Sequence, residues 1–296
     1  MKWITLAVAI ILVPFCSFSQ NFYDSYIAEL KVDTIDGYVP TFYTPGSYTI
    51  ALELQQTISD AIRFYEKESL DQFDIKLAVL DSAQWPSERV PFGYVFYSSG
   101  WIFMNTGMTY DNFKNVYGLA DIYEQIDLDL KKSGISPSQM IQSFYVVYSI
   151  HELGHYFISQ ISNAKSPDRW TNEFIATYFS YNFFKKYSES SLREFELFHR
   201  VHKDFYQPKY STIADFNDVY MGMGVENYVW YHSNFYFLVD ALYKCYGSDF
   251  ISTFEEMFPK NEQSVYEISE IIQLLDKNCN KAVENWVKAL EAVTVK

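Results

Sequence analysis

Two histidines belong to a short motif, His151-Glu152-Leu153-Gly154-His155, whose spacing suits metal chemistry. Residues four apart on an α-helix share one face, so both imidazoles can reach the same ion. Imidazole nitrogens bind Zn²⁺ at about 2.0–2.1 Å, and a catalytic zinc keeps one coordination position open for water. Glu152 would lie beside that position, where a general base is needed. The motif therefore predicts a zinc site with hydrolytic chemistry.

A catalytic zinc takes three protein ligands, so the sequence must supply one more. A histidine six positions after His155 is excluded, because that position is Ile161. Glu173 follows His155 by 18 positions, within the segment Trp170-Thr171-Asn172-Glu173-Phe174-Ile175-Ala176. Its apolar neighbours predict burial, and a buried carboxylate needs a partner. We expect His151, His155 and Glu173 to hold the metal; the alternative is two unliganded histidines and a solvated glutamate.

The elements that must position these residues can be read from hydrophobic spacing. Apolar residues recur at helical intervals around the motif, which predicts a helix that begins at Ser136-Pro137-Ser138 and runs to Ile161. Gly154 inside this helix predicts that another backbone passes close to the site. A second helix over about Thr171–Lys186, antiparallel to the first, would bring Glu173 to the motif.

The rest of the chain predicts an α+β fold, with a small mixed sheet and helices in the N-terminal half and mostly helices after it. The upstream elements are an irregular or strand-forming stretch at about 20–45, a helix at 50–65, and strands at 75–80, 93–97 and 101–105. Further helices are predicted at about 191–205, 226–246, 264–276 and 281–293. We expect a sheet-containing lobe at about 20–160, a helical lobe at about 161–296, and an active site in the cleft between them.

These residues carry a family resemblance that covers about 75–181. The motif together with Trp170-x-Asn172-Glu173-x-x-Ala176 resembles the gluzincins, the peptidase MA-like clan of thermolysin-like and aminopeptidase-N-like zinc metallopeptidases, and the second segment is similar to the aminopeptidase-N-like one. The resemblance implies a zincin-like fold and a zinc cofactor on His151, His155 and Glu173, with Glu152 as the base. It also implies that the strand pair ending in Trp101–Asn105 forms the sheet edge that pairs with an extended peptide or protein substrate.

The resemblance further implies a donor to the oxyanion from a later helix. Tyr231 and His232 lie near the start of the predicted helix 226–246, and both are candidates. A glutamate that would anchor a substrate amino terminus is missing before Asn105, so an endopeptidase is favoured over an aminopeptidase. The alternative from another functional class is a non-catalytic zinc-containing module that binds an extracellular protein or glycan partner.

The net charge and the N-terminal residues indicate which partners and which cellular location to expect. With 37 acidic and 23 basic residues the net charge is −14, which speaks against nucleic acid as a partner. Lys2, the apolar run Trp3–Phe15, and small residues at Ser17 and Ser19 are typical of a signal peptide over residues 1–19. We expect a secreted or periplasmic protein without a membrane span.

Two further groups of residues leave alternatives open. Cys245 and Cys279 either pair in an oxidising compartment or stay as buried free thiols. His199 and His202, followed by Asp204, are either a second metal site or a solvated helix face, and the spacing favours the solvated face.

Overall fold

Strands and helices segregate along this chain, which makes the fold α+β. A computed structural model describes residues 15–66, 73–87, 94–107, 109–116, 122–261 and 264–293. The first-half elements are α1 (Phe15–Glu29), β1 (Asp33–Ile35), β2 (Thr41–Tyr43), α2 (Tyr48–Glu66), β3 (Lys76–Leu80), β4 (Val95–Ser98), β5 (Trp101–Asn105), α3 (Tyr110–Val116) and α4 (Tyr123–Ser133). The second-half helices are α5 (Pro137–Tyr156), α6 (Arg169–Tyr187), α7 (Glu189–Phe205), α8 (Ile213–Val219), α9 (Val225–Tyr246), α10 (Phe250–Met257), α11 (Ile268–Leu275) and α12 (Ala282–Glu291).

The five strands form one mixed sheet in the order β1-β2-β3-β5-β4. β3 is parallel to both of its neighbours, while β4 and β5 form an antiparallel hairpin. The hairpin turns at Ser99 and Gly100, whose φ angles are 51° and 82°. Two successive positive φ angles define the type I′ turn that matches the twist of antiparallel strands. The predicted mixed sheet is confirmed, and β4 is its outer strand.

The two faces of the sheet have separate partners because side chains alternate along each strand. Leu77 on β3 and Ile102 on β5 face the main core, which also takes in the central helices. Ala78 and Phe103 face the other way, into a smaller cluster against α1. Ile27 is the buried residue of α1 in that cluster. The sheet is therefore covered on both sides.

The structure of α1 differs from what the sequence predicted. The stretch 20–45 was expected to be irregular or strand-forming, but α1 continues to Glu29 before β1 and β2 begin. Tyr23, Tyr26, Ile27 and Leu30 recur at helical spacing and pack on the sheet, and this tertiary contact decides the conformation. Residues 1–14 of the predicted signal peptide lie outside the described residues.

α5 is the helix that carries the metal-site motif, and its start is fixed by capping. The Ser136 side chain accepts from the Gln139 N–H, the Gln139 side chain accepts from the Ser136 N–H, and Pro137 opens the first turn. The helix continues through a π-helical turn at Phe157–Ile161, so the predicted extent is confirmed. The predicted helices at 50–65 and 171–186 are also confirmed, as α2 and α6.

Gly154 is where α5 and α6 come closest. A Cβ atom built on Gly154 would lie 3.0 Å from Cα and 3.1 Å from the carbonyl oxygen of Ala176. These neighbours are backbone atoms of a packed helix, which cannot turn aside as a flexible side chain would. The expected close approach of a second backbone is therefore confirmed, and it brings the residues around Ala176 within reach of the motif.

The C-terminal helices are tied to α9 by a disulfide. Cys245 at the end of α9 and Cys279 between α11 and α12 are bonded, with their Cα atoms 5.5 Å apart. The bridge closes a loop of 34 positions and so restricts the unfolded chain. Of the two alternatives for these cysteines, the pairing is the one observed. In the part of the chain that the structure describes, no helix has the length and apolar content needed to cross a membrane.

Gly154→Ala should lower the free energy of unfolding by about 1–2 kcal/mol, because overpacking against α6 outweighs the better helix propensity of alanine. Urea unfolding followed by circular dichroism measures the change. Gly222→Ala is the matched control, since the new Cβ would meet nothing closer than 3.7 Å. Equal stability of Gly154→Ala and wild type would contradict the close helix contact.

Candidate metal centre

The three predicted ligands converge between α5 and α6. The Nε2 atoms of His151 and His155 each lie 3.3 Å from Oε2 of Glu173. One ligand atom from each residue falls within 4.8 Å of the other two, which is close enough to share one ion. Only 3% of His151 and 5% of Glu173 is exposed. The cluster could therefore bind a metal ion away from bulk water.

The electrostatics of the cluster favour a positive charge between Glu173 and the two histidines. Burial alone would raise the pKa of Glu173, but charged His155 and hydrogen bonds from the two histidines hold it well below its usual range. Burial would also lower the pKa of His155, but the neighbouring Glu173 carboxylate raises it to about 9. The carboxylate is thus ionised in a buried setting, where it draws either a proton or a metal cation to the imidazoles.

Hydrogen bonds from α6 orient both histidine rings. The Thr177 hydroxyl donates to the carbonyl of Glu173 at 2.8 Å and lies 3.2 Å from Nδ1 of His151. Because its only proton is already used, the hydroxyl can only accept from Nδ1–H, and in the neutral ring this leaves the Nε2 lone pair of His151 free to bind a metal. The Asn172 amide lies 3.2 Å from Nδ1 of His155. If Nε2 of His155 binds a metal, Nδ1 carries the proton, and the amide oxygen of Asn172 must face the ring to accept it.

These contacts show how the two helices run. His151 meets Thr177, while His155, later on α5, meets Asn172, earlier on α6. Partners in opposite sequence order mean antiparallel helices, as expected. The start of α6 is fixed by Asp168, whose side chain accepts from the Thr171 N–H.

Glu152 lies beside the ligands but is held by the sheet. Its Oε2 accepts a 2.8 Å hydrogen bond from the Tyr97 N–H on β4. The two-residue turn makes Ser98 and Trp101 a hydrogen-bonded pair. Hydrogen-bonded and non-hydrogen-bonded pairs alternate along antiparallel strands, so the N–H of Tyr97, one position earlier on β4, points away from β5. Burial raises the pKa of Glu152 above its usual value, although His155 and His151 oppose the shift. Glu152 is thus a separate carboxylate outside the ligand set.

The sheet edge implied by the resemblance is present. The strand pair ending in Trp101–Asn105 forms one edge of the sheet, and within the pair β5 is buried along its whole length between β3 and β4. β4 is the strand that lies beside the cluster. Glu152 and Val95 of β4 line the same small cavity of about 40 Å³.

The two candidates on α9 have different positions. Nε2 of His232 is 3.5 Å from Oε2 of Glu173 and has no hydrogen-bond partner among the described residues. Burial lowers the pKa of His232 to about 3, so the ring is neutral. The Tyr231 hydroxyl instead donates to the carbonyl of Thr212 at 2.8 Å. The expectation that the Tyr231 hydroxyl lies at the site is therefore wrong. Adjacent positions on a helix point about 100° apart, so Tyr231 does not share the helix face of His232.

His199 and His202 belong to the core and form neither of the two expected features. They are 1% and 0% exposed, which contradicts the solvated helix face. Nδ1 of His199 lies 2.8 Å from the Ser233 hydroxyl, and its ring stacks on Tyr236. Within the described residues, the metal-capable group contains His151, His155 and Glu173 but neither of these histidines.

Sequence reasoning missed two tyrosines at the cluster. The Tyr220 hydroxyl donates to Oε1 of Glu173 at 2.7 Å and lies 3.5 Å from the Tyr228 hydroxyl. Tyr228 precedes His232 by four positions, a spacing that could have placed it on the same face of α9. Tyr220 follows the short helix α8, and no sequence pattern points to it.

Comparisons with known proteins add no assignment. No protein-family model matches the chain, and no curated protein matches it. The candidate metal centre therefore rests on its own residues and geometry.

Glu173→Gln should weaken metal binding by more than the about 10–100-fold typical for loss of an outer-layer hydrogen bond, because a ligand oxygen is replaced. Elemental analysis of dialysed protein measures the metal content. Glu152→Gln is the matched control, since it makes the same change one residue from His151 but outside the ligand set. Full metal content in both Glu173→Gln and His151→Ala would show that the metal lies elsewhere.

Proposed function

We propose that this protein is an exported zinc metallopeptidase of the gluzincin type, with a zincin-like fold. The observation that carries the proposal is that one buried group of residues could hold a metal while a separate carboxylate lies beside it. Two imidazole nitrogens and one oxygen of Glu173 face each other, and Glu152 stands beside them without joining the group. A purely structural site has no use for a second carboxylate in that position.

The donor set supports zinc as the metal. Catalytic zinc is held by three protein ligands, and two histidines with one glutamate are an established combination. The buried Glu173 carboxylate holds a proton on His155, whose pKa it raises to about 9, and Zn²⁺ can take the place of that proton. When bound here, Zn²⁺ supplies a Lewis acid that lowers the pKa of a water molecule toward about 7 and polarises a carbonyl.

Glu152 is the residue that would move the proton. Burial raises the pKa of its carboxyl group, which makes the carboxylate a better proton acceptor near neutral pH. It would take a proton from the attacking water and pass it to the leaving amine. The Tyr97 N–H orients the carboxylate for this task from the sheet side.

Developing negative charge on the carbonyl oxygen needs a donor from the protein. His232 and Tyr228 both line the cavity next to His151 and Glu152, on one face of α9. Either Nε2–H of His232 or the Tyr228 hydroxyl can donate a hydrogen bond there. One such donor is worth about 2.7–4 kcal/mol in comparable sites.

The substrate class follows from the outer strand beside the site. Backbone groups of β4 that face away from β5, other than the Tyr97 N–H that donates to Glu152, can pair with an extended peptide. The segment Phe103-Met104-Asn105 carries no glutamate to anchor a free amine. Cleavage of internal bonds is therefore favoured, and the Cys245–Cys279 disulfide supports an oxidising location outside the cytoplasm.

A second candidate, a non-catalytic zinc-containing module with an extracellular partner, is favoured by one observation. The cavity beside His151 and Glu152 measures about 40 Å³, far below the roughly 300–1,000 Å³ of small-molecule sites. It has room for only a few water molecules. A peptide would need β4 to move outward before it could reach Glu152.

Glu152→Gln should leave the metal content unchanged and reduce hydrolysis by about 10²–10⁴-fold, because an amide cannot accept the proton. Wild type and variant are incubated with a mixed-protein digest, and new termini are identified by mass spectrometry. Cuts made only by wild type support the peptidase. Zinc in both proteins with no cut by either would favour the binding module, and equal cutting would exclude Glu152 as the base.

Acetylation of a substrate amino terminus should change the cleavage rate little, because the segment Phe103-Met104-Asn105 has no glutamate to bind the free amine. Matched peptide pairs, free and acetylated, test this with kcat/KM as the readout. A loss of about a hundredfold, the size expected for a charged hydrogen bond, would indicate an aminopeptidase.

A further inference from the structure

The two oxygens of the Glu173 carboxylate have different partners. Oε2 lies 3.3 Å from Nε2 of both His151 and His155. Oε1 points the other way and accepts a 2.7 Å hydrogen bond from the Tyr220 hydroxyl. One oxygen thus faces the metal position, and the other is already bound to a protein donor.

Tyr220 is held in place by the start of α6, the helix that carries Glu173. Asn217 on α8 donates to the Asp168 carboxylate at 3.0 Å and accepts from the Trp170 N–H at 3.2 Å. Arg169 donates to the Asn217 carbonyl, and its guanidinium lies 5.4 Å from the centre of the Tyr220 ring. These contacts join α8 to the first turn of α6, so the hydroxyl of Tyr220 keeps its aim at Glu173.

The number of carboxylate oxygens that bind a metal decides how many coordination positions remain for other ligands. A glutamate can bind a cation through one oxygen or through both. With two histidines and a one-oxygen glutamate, a tetrahedral zinc keeps a position for water, as catalytic zinc requires. A glutamate that binds through both oxygens would compete for that position.

We propose that Tyr220 is a positioning residue that keeps Glu173 a one-oxygen ligand and so keeps a coordination position open. The hydroxyl engages Oε1 and orients the carboxylate so that Oε2 alone faces the histidines. This inference rests on the metal-binding part of the proposed function and does not depend on which substrate is cleaved.

The test replaces the metal with Co²⁺, whose visible absorption is strong in tetrahedral sites and weaker at higher coordination numbers. Tyr220→Phe should weaken this absorption, because the released Oε1 can join the metal. Tyr231→Phe is the matched control: it removes a hydroxyl that donates to Thr212, and its spectrum should equal wild type. X-ray absorption of the zinc proteins should show a longer set of oxygen contacts only in Tyr220→Phe.

Each outcome is decisive. Identical spectra of Tyr220→Phe and wild type would overturn the inference, as would two Glu173 oxygens on zinc in wild type itself, a measurement that needs no variant. A wild-type protein that takes up no metal would overturn both the inference and the metal site. Absence of hydrolysis with the expected spectra would reject the peptidase and leave the role of Tyr220 supported.

Discussion

Glu173 is buried with its carboxylate against three imidazole rings, an arrangement that costs free energy unless positive charge lies with it. Its position depends on the close approach of α5 and α6, which the missing side chain of Gly154 permits. Only at that separation can one helix supply the histidines while the other supplies both the carboxylate and the hydroxyl of Thr177 that orients His151. The candidate metal centre is thus a product of helix packing, and the short motif alone does not complete it.

The sheet contributes the second half of the arrangement. The type I′ turn at Ser99 and Gly100 fixes the register of β4, and that register turns the Tyr97 N–H toward Glu152. Two carboxylates a short distance apart then differ in pKa, since Glu173 is held low by histidines while burial raises Glu152. Such a divergence separates a ligand from a proton acceptor. The proposed chemistry depends on both halves of the chain meeting at this point.

Much of this could be predicted from the sequence because periodicity and capping are local signals. The extents of α2, α5 and α6 follow from helical spacing, and the ligand group follows from spacing plus the apolar setting of Glu173. Long-range packing is what the sequence does not display. It decides that α1 is a helix on the sheet, that His199 is buried, and that Tyr220 rather than Tyr231 contacts the cluster.

The most direct test of the central claim is a crystal of zinc-loaded protein, with diffraction recorded on both sides of the zinc absorption edge. The account predicts one strong anomalous peak within about 2.0–2.2 Å of Nε2 of His151, Nε2 of His155 and one oxygen of Glu173. Glu152 should lie near the peak without bonding to it. A peak at any other group of residues, or none in fully loaded crystals, would contradict the account.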